Sequence, residues 1–118
     1  MNYVDFKNGP ARSLFAGLGK DWAALLEHAD SFEHLRHTII RYNDRDVGRF
    51  VAAVRRYAKT CSSGEYRLLL AVCALVDFGH VADELAAGRT WQDITRGCDL
   101  RLRAAIAAVR CSRNAIRQ

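Results

Sequence analysis

An all-α fold is predicted: a compact single-domain bundle of five or six helices around a buried central helix at about residues 64–87. Three observations predict it. Proline occurs once and glycine eight times, so long stretches carry no strong breaker. Apolar residues recur at helical rather than alternating spacing. One segment, residues 68–76, is apolar nearly all round, as a helix at the middle of a bundle must be. The 118 residues, 50% hydrophobic and 26% charged, fall in the range of one domain of roughly 100–150 residues, here taken as residues 1–118.

Residues 1–9 read as an irregular N-terminal segment. Asn8-Gly9-Pro10 is a turn, and Pro10 suits the first position of a short helix over 10–18 that Gly19 ends. Asp21 is the expected cap of a second helix carrying Trp22, Leu25, Leu26 and Ala29. Asp30 and Ser31 interrupt its chemistry, and Asp30 with Glu33 resembles a capping box. Phe32, Leu35, Ile39 and Ile40 continue the stripe, which favours one helix over 21–42 with at most a small kink.

Asn43-Asp44 is the next break. Val47, Phe50, Val51, Val54, Tyr57, Ala58 and Cys61 then follow helical spacing, with Arg45, Arg49, Arg55, Arg56 and Lys59 on the other face. Ser62-Ser63-Gly64-Glu65 is a capping box opening the central helix, expected to run through Gly79 to Ala87 and stop at Gly88. A short helix over 91–96, capped by Thr90, a turn at 97–99 and a last helix over 100–116 complete the chain. That last helix turns Leu102, Ala105, Ile106, Val109 and Ile116 inward. No internal repeat, low-complexity tract or inter-domain linker interrupts the pattern.

The formal net charge is +5 and the pI about 9.3. Residues 1–60 carry +3 and residues 61–118 carry +2, but residues 96–118 hold six arginines against Asp99 alone. A cationic surface attracts phosphate backbones, anionic membranes or acidic protein surfaces. Arginine outnumbers lysine 15 to 3, which also fits a plain compositional preference. No apolar stretch reaches the roughly 18–20 residues that cross a bilayer, so no membrane partner is expected. The four cysteines, Cys61, Cys73, Cys98 and Cys111, form no C-x-x-C pair. The first seven residues lack a charged leader followed by an apolar core. The expectation is therefore a cytoplasmic chain whose cysteines are reduced and act as small buried hydrophobes.

Four constellations bear on function. Cys73, Asp77, His80 and Glu84 share one helical face, and Asp30, His34 and His37 share another. Together they offer a donor mixture suited to zinc or iron in a metal-binding bundle. No Glu-x-x-His pair or His-Glu-x-x-His supports it, so no metal or other cofactor is expected; His34, His37, Asp77, His80 and Glu84 would be the ligands otherwise. Nucleophilic catalysis has no motif behind it, since Cys73 lies in the most apolar segment and no Gly-x-Ser-x-Gly or phosphate loop occurs. No enzyme activity is expected.

Residues 90–113 have the outline of a helix-turn-helix that would present Arg101, Arg103 and Arg110 to a DNA groove. Its second helix lacks Asn, Gln or Ser near its start for base contacts. Arg41, Arg45 and Arg49 are spaced by four, and Arg56 extends the row if the helix runs straight. Arginine-rich faces of this kind suit an acidic protein surface, with Tyr42 and Tyr57 as candidate aromatic anchors. The preferred reading is a small non-enzymatic regulatory or inhibitor-type protein that engages an acidic partner protein through Arg41, Arg45, Arg49, Arg56, Arg101, Arg103, Arg110 and Arg113. Nucleic-acid binding is the alternative.

Overall fold

In the computed structural model, which describes residues 1–76, 78–86 and 100–117, the chain is all-α. Among the described residues the helices are α1 (Tyr3–Asn8), α2 (Pro10–Leu18), α3 (Lys20–His28), α4 (Phe32–Arg45), α5 (Arg49–Ala58), α6 (Ser63–Leu75), α7 (Gly79–Ala86) and α8 (Leu100–Arg117). They pack into a body of 35 × 29 × 27 Å. The expected segment at 91–96, its turn at 97–99 and the stop at Gly88 lie outside the described residues.

The centre is α6. Leu68 through Leu75 are all buried, and α8, α7, α2 and α5 pack around them. Ser62 caps this helix, its Oγ accepting the Glu65 N–H at 3.2 Å, as the capping-box sequence predicts. α8 lies along α6 with Ala105, Ile106 and Val109 buried and Leu102 half-buried.

Several boundaries differ from those expected. Residues 3–8 form a helix because Asn2 caps it, its Oδ1 accepting the Asp5 N–H at 2.8 Å, and because Tyr3 and Phe6 pack on Phe32. Residues 29–31 break the expected long helix. Ala29 is extended and buried, and Ser31 caps α4 by accepting the His34 N–H at 3.0 Å.

α4 runs past Asn43-Asp44 to Arg45, and α5 begins only after Gly48, whose φ of 79° few other residues adopt. Val47 is 91% exposed in the connection and does not belong to the α5 stripe. Finally, α6 stops at Leu75. The Arg36 Nε donates to the Leu75 carbonyl at 3.1 Å, and the Phe78 N–H reaches back to the Cys73 carbonyl at 2.8 Å. α7 is therefore a separate helix.

Side chains from elsewhere satisfy helix ends repeatedly. The last carbonyls of a helix have no partner within it. Tyr3 Oη donates to Leu26 of α3 at 2.8 Å, Arg56 Nη2 to Leu18 of α2 at 2.9 Å, and Tyr66 Oη to Leu85 of α7. At the start of α5 the buried Asn43 accepts the Phe50 N–H at 2.8 Å, a cap supplied by the preceding helix. Asn43→Ala leaves that N–H buried and unpaired and is expected to cost about 1–3 kcal/mol in urea unfolding.

Candidate functional site: a cationic cleft between α3 and α5

Gly19 separates α2 from α3 with a φ of 139°, a conformation L side chains rarely adopt. The turn there sets Lys20, Asp21 and Trp22 against α5. A cleft of about 490 Å³ opens between them, lined by Lys20, Asp21 and Trp22 on one wall and Arg49, Ala52, Ala53 and Arg56 on the other. The alanines keep its α5 wall low. No side chain caps the start of α3, and Asp21 in its first turn sets a carboxylate against the positive end of that helix. A second hollow of about 340 Å³, formed by Tyr42, Arg45, Asp46 and Arg49, shares Arg49 with the first. Around the two hollows stand four cations, Lys20, Arg45, Arg49 and Arg56, against Asp21 and Asp46.

Arg49 is the fixed point between them. Its Nη2 pairs with Asp21. Its Nη1 lies 3.3 Å from Asp46 Oδ2 and donates to Tyr42 Oη at 3.2 Å. The guanidinium carbon sits 5.3 Å from the Tyr42 ring centroid, a cation–π contact. Tyr42 in turn meets Trp22 edge-on at 5.4 Å, Trp22 meets Phe50 at 5.1 Å, and Phe50 meets Phe78 at 5.8 Å. A row of rings therefore runs from the core to the base of the cleft and holds Arg49 at its outer end.

The structure brings Arg45, Arg49 and Arg56 together, though on two helices joined by the Gly48 turn rather than in one straight row. Arg41 is exposed one turn before Arg45 and lines neither hollow. On α8, Arg103 and Arg110 flank Ile106 and Ala107 at a shallow hollow of about 250 Å³. Arg113 is half-buried, with an enclosed Nε that has no hydrogen-bond partner among the described residues. Arg101 does not join them; its guanidinium lies over the α1–α2 turn, where a Cβ on Gly9 would come within 2.8 Å of Nη2. Lys20 and Asp46 are not among the expected site residues, and Asp21, expected to cap the second helix, stands instead in the first turn of α3 behind Gly19; the one local signal is the Gly19 break beside Lys20-Asp21. Of the candidate anchors, Tyr42 serves the cleft, while half-buried Tyr57 donates to Glu65.

The candidate metal ligands lie in separate local pairs. His34 Nδ1 is 3.1 Å from Asp30, His37 Nε2 is 3.8 Å from Glu33, and Glu84 binds Arg55 at 3.1 Å. His80 is exposed, its ring 6.2 Å from Phe78, and Asp77 lies outside the described residues. Among the described residues no three His, Cys, Asp or Glu side chains gather where a metal ion would sit. No helix among them is long and apolar enough to cross a membrane.

Cys61, Cys73 and Cys111 are free thiols, and Cys98 lies outside the described residues. Burial pushes the Cys73 thiol from its ordinary 9.0 up to about 12, and burial also raises the Tyr3 and Tyr57 phenols. Well below pH 9 both folded and unfolded chains keep these groups neutral. Above it the unfolded chain ionises first, so stability is expected to fall as pH rises from about 9 toward 12. Urea midpoints across that range check the sign; a midpoint that rises would contradict it.

No family model matches this chain, and neither a curated protein nor a solved structure matches it.

Proposed function

We propose that the chain is a small non-enzymatic binding protein, regulatory or inhibitor-type, that holds an acidic segment of a partner protein in the α3–α5 cleft. One observation carries the reading: four cations from three helices ring two joined hollows, and one of them, Arg49, is held in place from below by an aromatic row. Arginine donors fixed before binding recognise carboxylates with less ordering cost than free side chains. Arg41 extends this surface along α4.

Nucleic-acid binding along α8 is the second reading, favoured by Arg103 and Arg110 on one exposed face with the small Ala107 between them. Two paired charge reversals separate the two. Arg45→Glu with Arg56→Glu is expected to weaken binding of a fluorescent glutamate-rich peptide by about tenfold or more, roughly 1.4 kcal/mol. Arg103→Glu with Arg110→Glu is expected to leave it within about threefold. Thermal unfolding of each variant checks that the fold is retained. Peptide binding lost only in the α8 variant would overturn the cleft. Preference for one duplex sequence by roughly 10³ over random DNA, lost in that same variant, would establish the second reading instead.

A further inference from the structure

We propose that Asp21 is a built-in competitor for the partner's carboxylate, so that the cleft admits only acidic segments able to displace it from Arg49. The inference rests on the cleft reading and adds its gate. Asp21 belongs to α3 and Arg49 to α5, and their pair joins the two walls of the cleft between the helices. The two terminal nitrogens of the guanidinium have different keepers. Nη1 is held by Tyr42 and Asp46, while Nη2 is held by Asp21. Asp46 lies three residues before Arg49 and Tyr42 stacks beneath it, so both stay with the arginine when Asp21 leaves. Displacing Asp21 thus exposes one edge of an arginine whose other edge is already fixed.

Both partners of the pair are partly exposed, with side chains 42% and 48% accessible, so an incoming carboxylate reaches them from solvent. A pair of that exposure is weak enough to exchange. A single carboxylate gains little by replacing Asp21. A segment whose further acids also reach Lys20, Arg45 or Arg56 gains the extra contacts, and the gate therefore selects for several acids over one.

The test is a double-mutant cycle on the full chain, read by anisotropy of the glutamate-rich peptide at physiological salt. Asp21→Asn is expected to raise affinity about two- to fivefold, the size of a lost surface ion pair. Glu33→Gln, with the same change in net charge, sits nine residues down α4 from Tyr42. That is about 13.5 Å, beyond a Debye length of about 8 Å, and it is expected to change nothing. In an Arg49→Gln background the gain from Asp21→Asn is expected to vanish, because the competition acts through Arg49. Binding by Asp21→Asn where the unaltered chain binds too weakly to measure would also support the gate. Equal affinity for Asp21→Asn and the unaltered chain overturns the gate and leaves the cleft standing. So does a gain that Glu33→Gln matches or that persists without Arg49. Failure of every variant to bind the peptide removes both.

Discussion

Leu69→Asp is expected to abolish the cooperative unfolding transition, leaving a chain with little stable tertiary structure at room temperature. Leu69 is 0% exposed, on a helix whose residues from Leu68 to Leu75 are all buried against surrounding helices. An isolated carboxylate there has no partner and no route to water. Burying it costs several kcal/mol, and the site can escape only by protonating or by opening the bundle. A domain of this size has about 5–15 kcal/mol of stability in total, so opening is the expected outcome. Leu70→Asp and Val72→Asp act by the same route, whereas Val47→Asp, in the exposed α4–α5 connection, adds the same single charge and serves as the control. Thermal melting by circular dichroism distinguishes them. A sigmoidal transition for Leu69→Asp at the unaltered temperature would mean that α6 is not the centre of the core.

Phe50→Ala is expected to cost about 3–5 kcal/mol, the usual range for emptying a buried aromatic site. Phe50 is 0% exposed and stands between Trp22 at 5.1 Å and Phe78 at 5.8 Å. Its loss removes core packing and also the support beneath Trp22 and Tyr42, on which Arg49 rests. The variant is therefore expected to bind the acidic peptide more weakly even under conditions where it stays folded. Val51→Ala, a half-buried neighbour on the same helix, is expected to cost less than about 1.5 kcal/mol. Urea midpoints give the first comparison and peptide anisotropy the second. A cost for Phe50→Ala no greater than for Val51→Ala would contradict the packing described.

Local chemistry made some of this fold legible. The Ser62-to-Glu65 cap and the all-round apolarity that follows it placed the start and the burial of α6. Pro10 and Gly19 marked both ends of α2. The misplaced boundaries lie where long-range contacts decide. Ala29 stays buried while its backbone is extended, so the apolar stripe hides the α3–α4 break. The end of α6 depends on Arg36, 39 residues away in sequence, and the start of α5 on the Asn43 cap.

The cleft shows the same division. Arg41, Arg45 and Arg49 stand out by their spacing of four, and Arg56 joins their row only if the helix runs straight. The structure makes Arg45, Arg49 and Arg56 the rim of the two hollows because α4 and α5 turn at Gly48. Lys20 and Asp21 could not be read as site residues, because their place opposite α5 exists only once α3 has packed. Arg101 shows the converse, since its position on the arginine-rich last helix said nothing of the turn it covers.

Backbone chemical-shift mapping of the isotope-labelled chain, titrated with the glutamate-rich peptide, tests the cleft most directly. The account predicts saturable shifts gathered on residues 18–22, 45–49 and 52–56, with the α8 face around Arg103 and Arg110 unmoved. Shifts gathered on residues 103–113 instead, or spread without saturation over every basic surface, would contradict it.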